Sequence, residues 1–228
     1  MFLPRLYAIL DASCFLDPNE LFAAANELAN SGCTLIQYRN KSGNARIMLE
    51  HAREMKKRLG IWSGGRPRPP DLSVGSPRTG TSGAPQSVCL IMNDRADLCL
   101  AAEFDGVHVG QDDLSPESVR RIIGPNRWLG VSTHNPEQLA EADKTSADYL
   151  AIGPVFATSS KQNPDPVVGL EGVHRARQLT RKPLVAIGGI TRANVRSVID
   201  AGADSVAVIS DLVRDPGKSA EEFFRILR

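Results

Sequence analysis

Val88-Cys89-Leu90-Ile91-Met92-Asn93-Asp94 and, a short helix later, Gly106-Val107-His108-Val109-Gly110-Gln111-Asp112-Asp113 are the stretches that decide the fold. Each is a short apolar run that stops at carboxylates. Such runs read as strands. Residues 95–103 between them suit a short helix, so the segment forms one strand–helix–strand unit. Unpaired acids have no packing reason to end a buried strand. Two of them on neighbouring strand ends could hold one hard divalent cation, as in Mg²⁺ sites for phosphorylated substrates. Asp94 or Asp113 could equally serve as a helix cap.

The unit repeats in both directions. Upstream, 7–10 and 34–38 read as strands. The helix at 18–31 places Leu21, Ala24, Ala25 and Leu28 on one face. The next, 44–59, ends in Lys56-Lys57-Arg58, cations that suit the negative end of a helix dipole. Downstream, strands are expected at 128–131, 149–152, 184–187 and 205–209. Ser115-Pro116-Glu117 and Asn135-Pro136-Glu137 place a capping side chain before a proline at the first helical position. Further helices are expected at 170–180, after a Thr191 cap with Gly202 at its left-handed end, and at 219–227. Eight strands alternating with eight helices predict an α/β fold, a single closed (β/α)8 TIM barrel domain over 1–228. An open doubly wound sheet is the competing arrangement, but it would gather its ligand groups at one switch point.

Residues 61–87 break the rhythm. They are rich in Gly, Pro, Ser and Arg and offer too little apolar surface to offset the entropy of ordering. They read as a disordered Gly/Pro-rich insertion before the third strand, on the barrel face opposite the catalytic loops. A tolerated insertion is favoured over a docking segment.

The apolar fraction of 42% and charged fraction of 23% are ordinary for a globular chain. A net charge of +1 argues against a broad nucleic-acid surface. Cys14, Cys33, Cys89 and Cys99 show no paired spacing and lie among apolar residues, which predicts buried thiols in a reducing cytosol. No run approaches the roughly 18 apolar residues of a membrane span, and the start lacks a leader pattern. A cytoplasmic protein without a membrane partner is expected; homo-oligomerisation through outer helices is compatible with the pattern.

In such a barrel, reactive groups come from strand C-termini and the loops after them. Gln37, Arg39 and Lys41 alternate after the second strand and so face one side, either inward to an anion or outward to solvent. Asn93 and Asp94 follow the third strand, and His108 and Asp113 belong to the fourth. His108 reads as an oriented core imidazole or a catalytic group. Ser132-Thr133-His134 follows the fifth strand, and the loop after the sixth holds Thr158-Ser159-Ser160-Lys161. Gly188-Gly189-Ile190-Thr191 and Ile209-Ser210 end the last two strands, where backbone amides can meet a phosphate.

Taken together these segments resemble the thiamine phosphate synthase family. The resemblance rests on Gln37/Arg39/Lys41, Asn93-Asp94, Val107 to Asp113, Gly130-Val131-Ser132, Thr158 to Lys161, Gly188-Gly189-Ile190 and Ile209-Ser210. It implies a transferase that joins a hydroxymethylpyrimidine diphosphate to a thiazole phosphate with loss of pyrophosphate. It further implies Mg²⁺ on Asp94 and Asp113. The pyrimidine diphosphate is then expected on Gln37, Tyr38, Arg39, Asn40, Lys41, Asn93, Ser132 and Lys161, and Arg39, Lys41, Ser132 and Lys161 are expected to assist the chemistry. The thiazole phosphate is expected on Thr158, Ser159, Ser160, Gly189, Ile209 and Ser210. Tyr38 replaces a usual leucine and Ala157 a common proline. A related thiazole tautomerase needs no diphosphate-bound metal, so the acids and cations favour the synthase. A non-catalytic phosphate-sensing barrel would leave them unused.

Overall fold

Strand 1 of the protein, Leu6–Asp11, pairs in parallel with strand 8, Ser205–Val208, and this single pairing closes the sheet. The computed structural model describes residues 3–60, 88–158 and 165–228. The strands are β1 Leu6–Asp11, β2 Leu35–Arg39, β3 Cys89–Asn93, β4 Gly106–Val109, β5 Trp128–Thr133, β6 Tyr149–Ile152, β7 Leu184–Ile187 and β8 Ser205–Val208. They follow one another around a closed (β/α)8 barrel in chain order. The open sheet is thereby excluded. The insertion expected at 61–87 lies outside the described residues.

The helices are α1 Pro18–Asn30, α2 Ala45–Leu59, α3 Ala96–Ala101, α4 Pro116–Ile123, α5 Pro136–Asp143, α6 Gly169–Leu179, α7 Val195–Asp200 and α8 Pro216–Leu227. Their starts are chemically marked. Ser115 accepts from Ser118 N at 3.3 Å and Asn135 from Gln138 N at 2.8 Å, each before a proline in the first turn. Asp17 and Asp215 do the same for α1 and α8, so α8 begins at Pro216 and not at Ser219. Thr191 is not a side-chain cap. Its amide donates to the Asn194 side-chain oxygen at 2.8 Å, and α7 starts only at Val195.

Two apolar layers result from strands buried on both faces. Inside the barrel, Tyr7, Ile9, Leu35, Ile91, Trp128, Tyr149 and Val185 pack on one another. Between strands and helices lies the larger layer, which includes Leu6, Leu28, Tyr38, Met55, Leu90 and Phe223. Three of the four cysteines are buried as expected, whereas Cys14 is exposed in a short turn after β1.

The N-terminal face of the barrel is tied by a repeated device. Asp105, Asp148 and Asp204 immediately precede β4, β6 and β8. Their carboxylates accept the amides of Leu90, Leu129 and Leu184 on the preceding strands at 2.9, 2.8 and 2.8 Å. Each also binds a cation of an even-numbered helix: Lys56 at 3.1 Å, Arg120 at 2.6 Å and Arg177 at 2.7 Å. With that end fastened by charge-assisted bonds, the opposite end is left to carry the loops that vary with function.

Candidate active site

At the C-terminal end of the strands lies a cavity of about 490 Å³ whose floor includes Tyr7, Ile9, Ala151 and Val185. One wall is built from β2, β3 and β4. Strand alternation turns Gln37 and Arg39 into the cavity, and Lys41 joins them from the loop. The same alternation turns Tyr38 the other way. Its hydroxyl lies 3.0 Å from His51 Nδ1 and accepts from Asn40 Nδ2 at 3.0 Å, in the layer under the helices. Tyr38 and Asn40 are therefore outside the cavity lining, contrary to the expectation for them.

Asp94 and Asp113 meet on this wall, close enough for Asp113 to act on the Asp94 carboxyl. Burial raises the Asp94 carboxyl above its ordinary range, Lys41 opposes that rise through a hydrogen bond and its charge, and Asp113 adds to it. Asp94 is held in place by the backbone: its amide bonds His108 O at 2.8 Å and its φ is +62°, a left-handed setting that aspartate tolerates better than most residues. Asp113 Oδ2 accepts from Gly110 N at 2.7 Å. Two carboxylates partly removed from water, one of them bonded to the exposed Lys41, are a donor set that suits Mg²⁺, which takes one or two carboxylates plus substrate oxygens. Among the described residues no group of three or more His, Cys, Asp or Glu side chains gathers for a metal, so the donors here are this pair alone. Asp113 rather than the exposed Asp112 makes the contact with Asp94, although both border the cavity.

Asn93, buried at the end of β3, and Ser132, at the end of β5, also line the cavity. His108 lies beneath Ser132, with Nε2 at 2.8 Å from the serine hydroxyl. Burial lowers the imidazole to about 4, so it is neutral at pH 7. Gln111 ties the β4 loop to the end of β5 by donating to Ser132 O at 2.6 Å.

The other wall comes from β6, β7 and β8. Thr158, Gly189, Ile209 and Ser210 line it. Gly188 and Gly189 have φ of +102° and +63°, and a Cβ on them would lie 2.5 Å from Pro154 Cβ and 2.5 Å from Ala157 O respectively. Only glycine fits where the β6 and β7 loops zip together through Val155 N to Ile187 O at 2.9 Å and Phe156 N to Gly188 O at 3.0 Å. Ser159, Ser160 and Lys161, expected on the same loop, lie outside the described residues.

Several residues of this site were not anticipated. Asp11 ends β1, is 3% exposed, and pairs with the Arg39 guanidinium. It also accepts from Ser13 N at 3.0 Å and Ser13 Oγ at 2.8 Å. His134 lines the cavity, with Nδ1 at 2.6 Å from Gly153 O and Nε2 at 3.5 Å from Asp165. Tyr7 reaches the floor from β1. Asp11 alone carried a usable signal, since it is a third carboxylate placed directly after an apolar strand.

Known proteins are similar to this chain in sequence and in fold. The family profile described as "Thiamine monophosphate synthase" matches residues 81–212. A thiamine-phosphate synthase of Koribacter versatilis is 57% identical over 229 aligned residues, covering 99% of this chain and 96% of that protein. A thiamine-phosphate synthase of Chloroflexus aurantiacus is 41% identical and covers 92% of this chain and 85% of its own. The solved thiamine phosphate pyrophosphorylase of Pyrococcus furiosus superposes with a TM-score of 0.76 at 30% identity, covering 98% of this chain and 95% of its own. With the profile spanning more than half of the chain and the relatives nearly all of it, this chain belongs to the thiamine-phosphate synthase family of transferases.

Proposed function

We propose that this enzyme condenses 4-amino-2-methyl-5-hydroxymethylpyrimidine diphosphate with a thiazole phosphate, giving thiamine phosphate and pyrophosphate with the help of Mg²⁺. The observation that carries the proposal is the division of one cavity into two unlike walls. One presents Arg39, Lys41 and two touching carboxylates, and the other presents glycine backbone, Thr158 and Ser210. A diphosphate with a metal suits the first, and a lone phosphate suits the second.

The reaction breaks the bond between the pyrimidine methylene and the diphosphate oxygen, and the bonding pair leaves with pyrophosphate. The thiazole nitrogen then supplies its lone pair to the methylene carbon. Negative charge grows on the leaving group, so groups that meet it more strongly in the transition state accelerate the step. Arg39 and Lys41 reach the cavity as fixed cations, Ser132 offers a hydroxyl, and Asn93 an amide. Bound to Asp94 and Asp113, Mg²⁺ would neutralise part of the pyrophosphate charge. By family resemblance Lys161 adds a further cation. The apolar floor of Ile9, Val185 and Ile187 keeps water from the reactive methylene.

The site takes small phosphorylated substrates and needs no nucleic acid. Among the described residues no helix is long and apolar enough to cross a membrane. A cytoplasmic location and assembly into a homo-oligomer belong to the proposal. Incubating the purified protein with both substrates, with and without Mg²⁺, tests it. Metal-dependent thiamine phosphate is the expected product. Absence of product under every metal condition overturns the proposal, and isomerisation of the thiazole alone transfers the chain to the tautomerase reading.

A further inference from the structure

Beneath the cavity runs an unbroken chain of side-chain hydrogen bonds. Gln37 Nε2 donates to Tyr7 Oη at 2.7 Å. Tyr7 Oη and Tyr149 Oη are 3.0 Å apart, Tyr149 Oη and His108 Nδ1 3.1 Å, and His108 Nε2 and Ser132 Oγ 2.8 Å. Tyr7, Tyr149, Gln37 and His108 are all buried, and only Gln37, Tyr7, His108 and Ser132 border the cavity. Counting hydrogens sets the direction. Tyr7 accepts from the Gln37 amide, so its single hydroxyl hydrogen goes to Tyr149. Tyr149 then donates its own to His108 Nδ1. With Nδ1 accepting, the hydrogen of the ring is on Nε2 and is given to Ser132 Oγ. The serine hydrogen is left to face the cavity.

The sheet is cut to permit this chain. His108, Gly130 and Tyr149 are register partners on β4, β5 and β6. A Cβ on Gly130 would lie 2.3 Å from His108 Nδ1 and 2.1 Å from Tyr149 Cζ. The bare position on β5 lets side chains of its two neighbours bond across it. Phenylalanine at positions 7 and 149 would fill the same volume without burying two hydroxyls, each of which must find a partner.

We infer that Gln37, Tyr7, Tyr149, His108 and Ser132 form a directional chain that presents a hydrogen-bond donor at Ser132 and an acceptor, the Gln37 amide oxygen, to one bound substrate. The inference rests on the reading of this cavity as the active site and deepens it. Tyr7, Tyr149 and His108 act as positioning residues, through Ser132 and Gln37. The chain can reverse only if the Gln37 amide turns over, which would offer an N–H where the oxygen was. Both ends therefore change together. The site selects a ligand that carries an acceptor, such as a phosphate oxygen, at one end and a donor, such as a ring amino group, at the other.

Nitrogen NMR of His108 in the ¹⁵N-labelled full-length protein reads the chain directly. The expected spectrum is a neutral ring protonated at Nε2, with that preference lost in Tyr149→Phe. Kinetics supply the second arm. Tyr149→Phe should lower kcat/KM for the pyrimidine diphosphate about tenfold, the scale of one hydrogen bond. In a Ser132→Ala background the same change should cost less than about twofold, because the end of the chain is already gone. A ring protonated at Nδ1 in the wild-type protein overturns the inference without any variant. So does full additivity of the two substitutions, which marks Tyr149 as a mere packing residue. If the wild-type protein forms no thiamine phosphate, the proposed reaction falls while the tautomer still decides the chain.

Discussion

Asp11 and Arg39 are register partners on β1 and β2, and their side chains form an ion pair at the rim of the cavity. The carboxylate side chain is 4% exposed and the guanidinium 23%, so the acid is the buried partner. Arg39 lines the cavity, and Asp11 meets it from behind while Ser13 fixes the acid. Asp11→Ala frees the guanidinium to adopt many rotamers and strips Ser13 of its acceptor. We expect kcat/KM for the pyrimidine diphosphate to fall about 10- to 100-fold, with a stability loss of about 1–2 kcal/mol, reduced from the fully buried case because Arg39 remains partly in water. Asp11→Asn should retain the Ser13 contact and most of the stability, yet still show the kinetic loss. Steady-state kinetics beside thermal melts separate the two. Wild-type kinetics in a stable Asp11→Asn protein would remove Asp11 from the positioning of Arg39.

Asp94 combines three costs: a left-handed backbone, partial burial and a neighbouring Asp113 that raises its carboxyl. Asparagine tolerates the same backbone and carries no charge. Asp94→Asn should therefore hold or raise the melting temperature in chelator by about 2–4 °C, the response to roughly 1 kcal/mol in a chain of this size. The exposed Lys41 would lose its partner at little expense. Activity should vanish in the same variant, and in Asp113→Ala, at every Mg²⁺ concentration. Near-normal turnover in either would remove that residue from the proposed metal site, and a large fall in melting temperature would show that the Lys41 contact outweighs the repulsion.

The sequence made the barrel and the first wall of the cavity legible because both follow short-range rules. Apolar runs of strand length and Ser/Asn-Pro helix starts mark the elements, and a period of two puts Gln37 and Arg39 on one side, though not which side, without knowledge of any partner. Asp11 ends an apolar run as Asp94 follows one, but its role depends on Arg39, brought opposite only by the β1–β2 register. Tyr7 and Tyr149 carry no local sign of a role, since nothing in their neighbouring sequence tells that their hydroxyls meet across the barrel. Tyr38 failed in the opposite sense. Family resemblance carried a whole motif into the site, whereas the alternation already implied that its middle residue faces away.

Neutral, buried His108 gives folding a pH dependence. Its folded pKa, about 4, lies below the ordinary value of 6.5, so the unfolded chain takes up this proton first as pH falls. Its contribution is unchanged above the unfolded value and is lost as pH falls from about 6.5 to about 4, by about 3 kcal/mol in all. Denaturant melts at pH 7, 5.5 and 4.5 should show this slope, and His108→Gln should flatten it while lowering stability at pH 7 through loss of the Tyr149 and Ser132 bonds. An unchanged slope in that variant would assign the acid sensitivity to other groups.

The three aspartates under the barrel differ in one variable that should rank them. Each binds a strand amide and a helix cation, but their side chains are 8% exposed for Asp148, 13% for Asp105 and 46% for Asp204. Removing a buried carboxylate leaves both its cation and its amide unpaired in a medium of low dielectric, whereas water replaces an exposed one. Asp148→Ala should cost about 3–4 kcal/mol, roughly 10 °C in melting temperature, and Asp204→Ala about 1 kcal/mol. Asp105→Ala should fall between them and nearer to Asp148, because Lys56 is as sheltered as Arg120. Asp148→Asn keeps an acceptor for Leu129 N and should recover part of the loss. Below the melting temperature kcat should change by less than about twofold in all four, since these residues tie the face opposite the cavity. Equal losses at the three positions would show that the strand amide, common to all, outweighs burial of the ion pair.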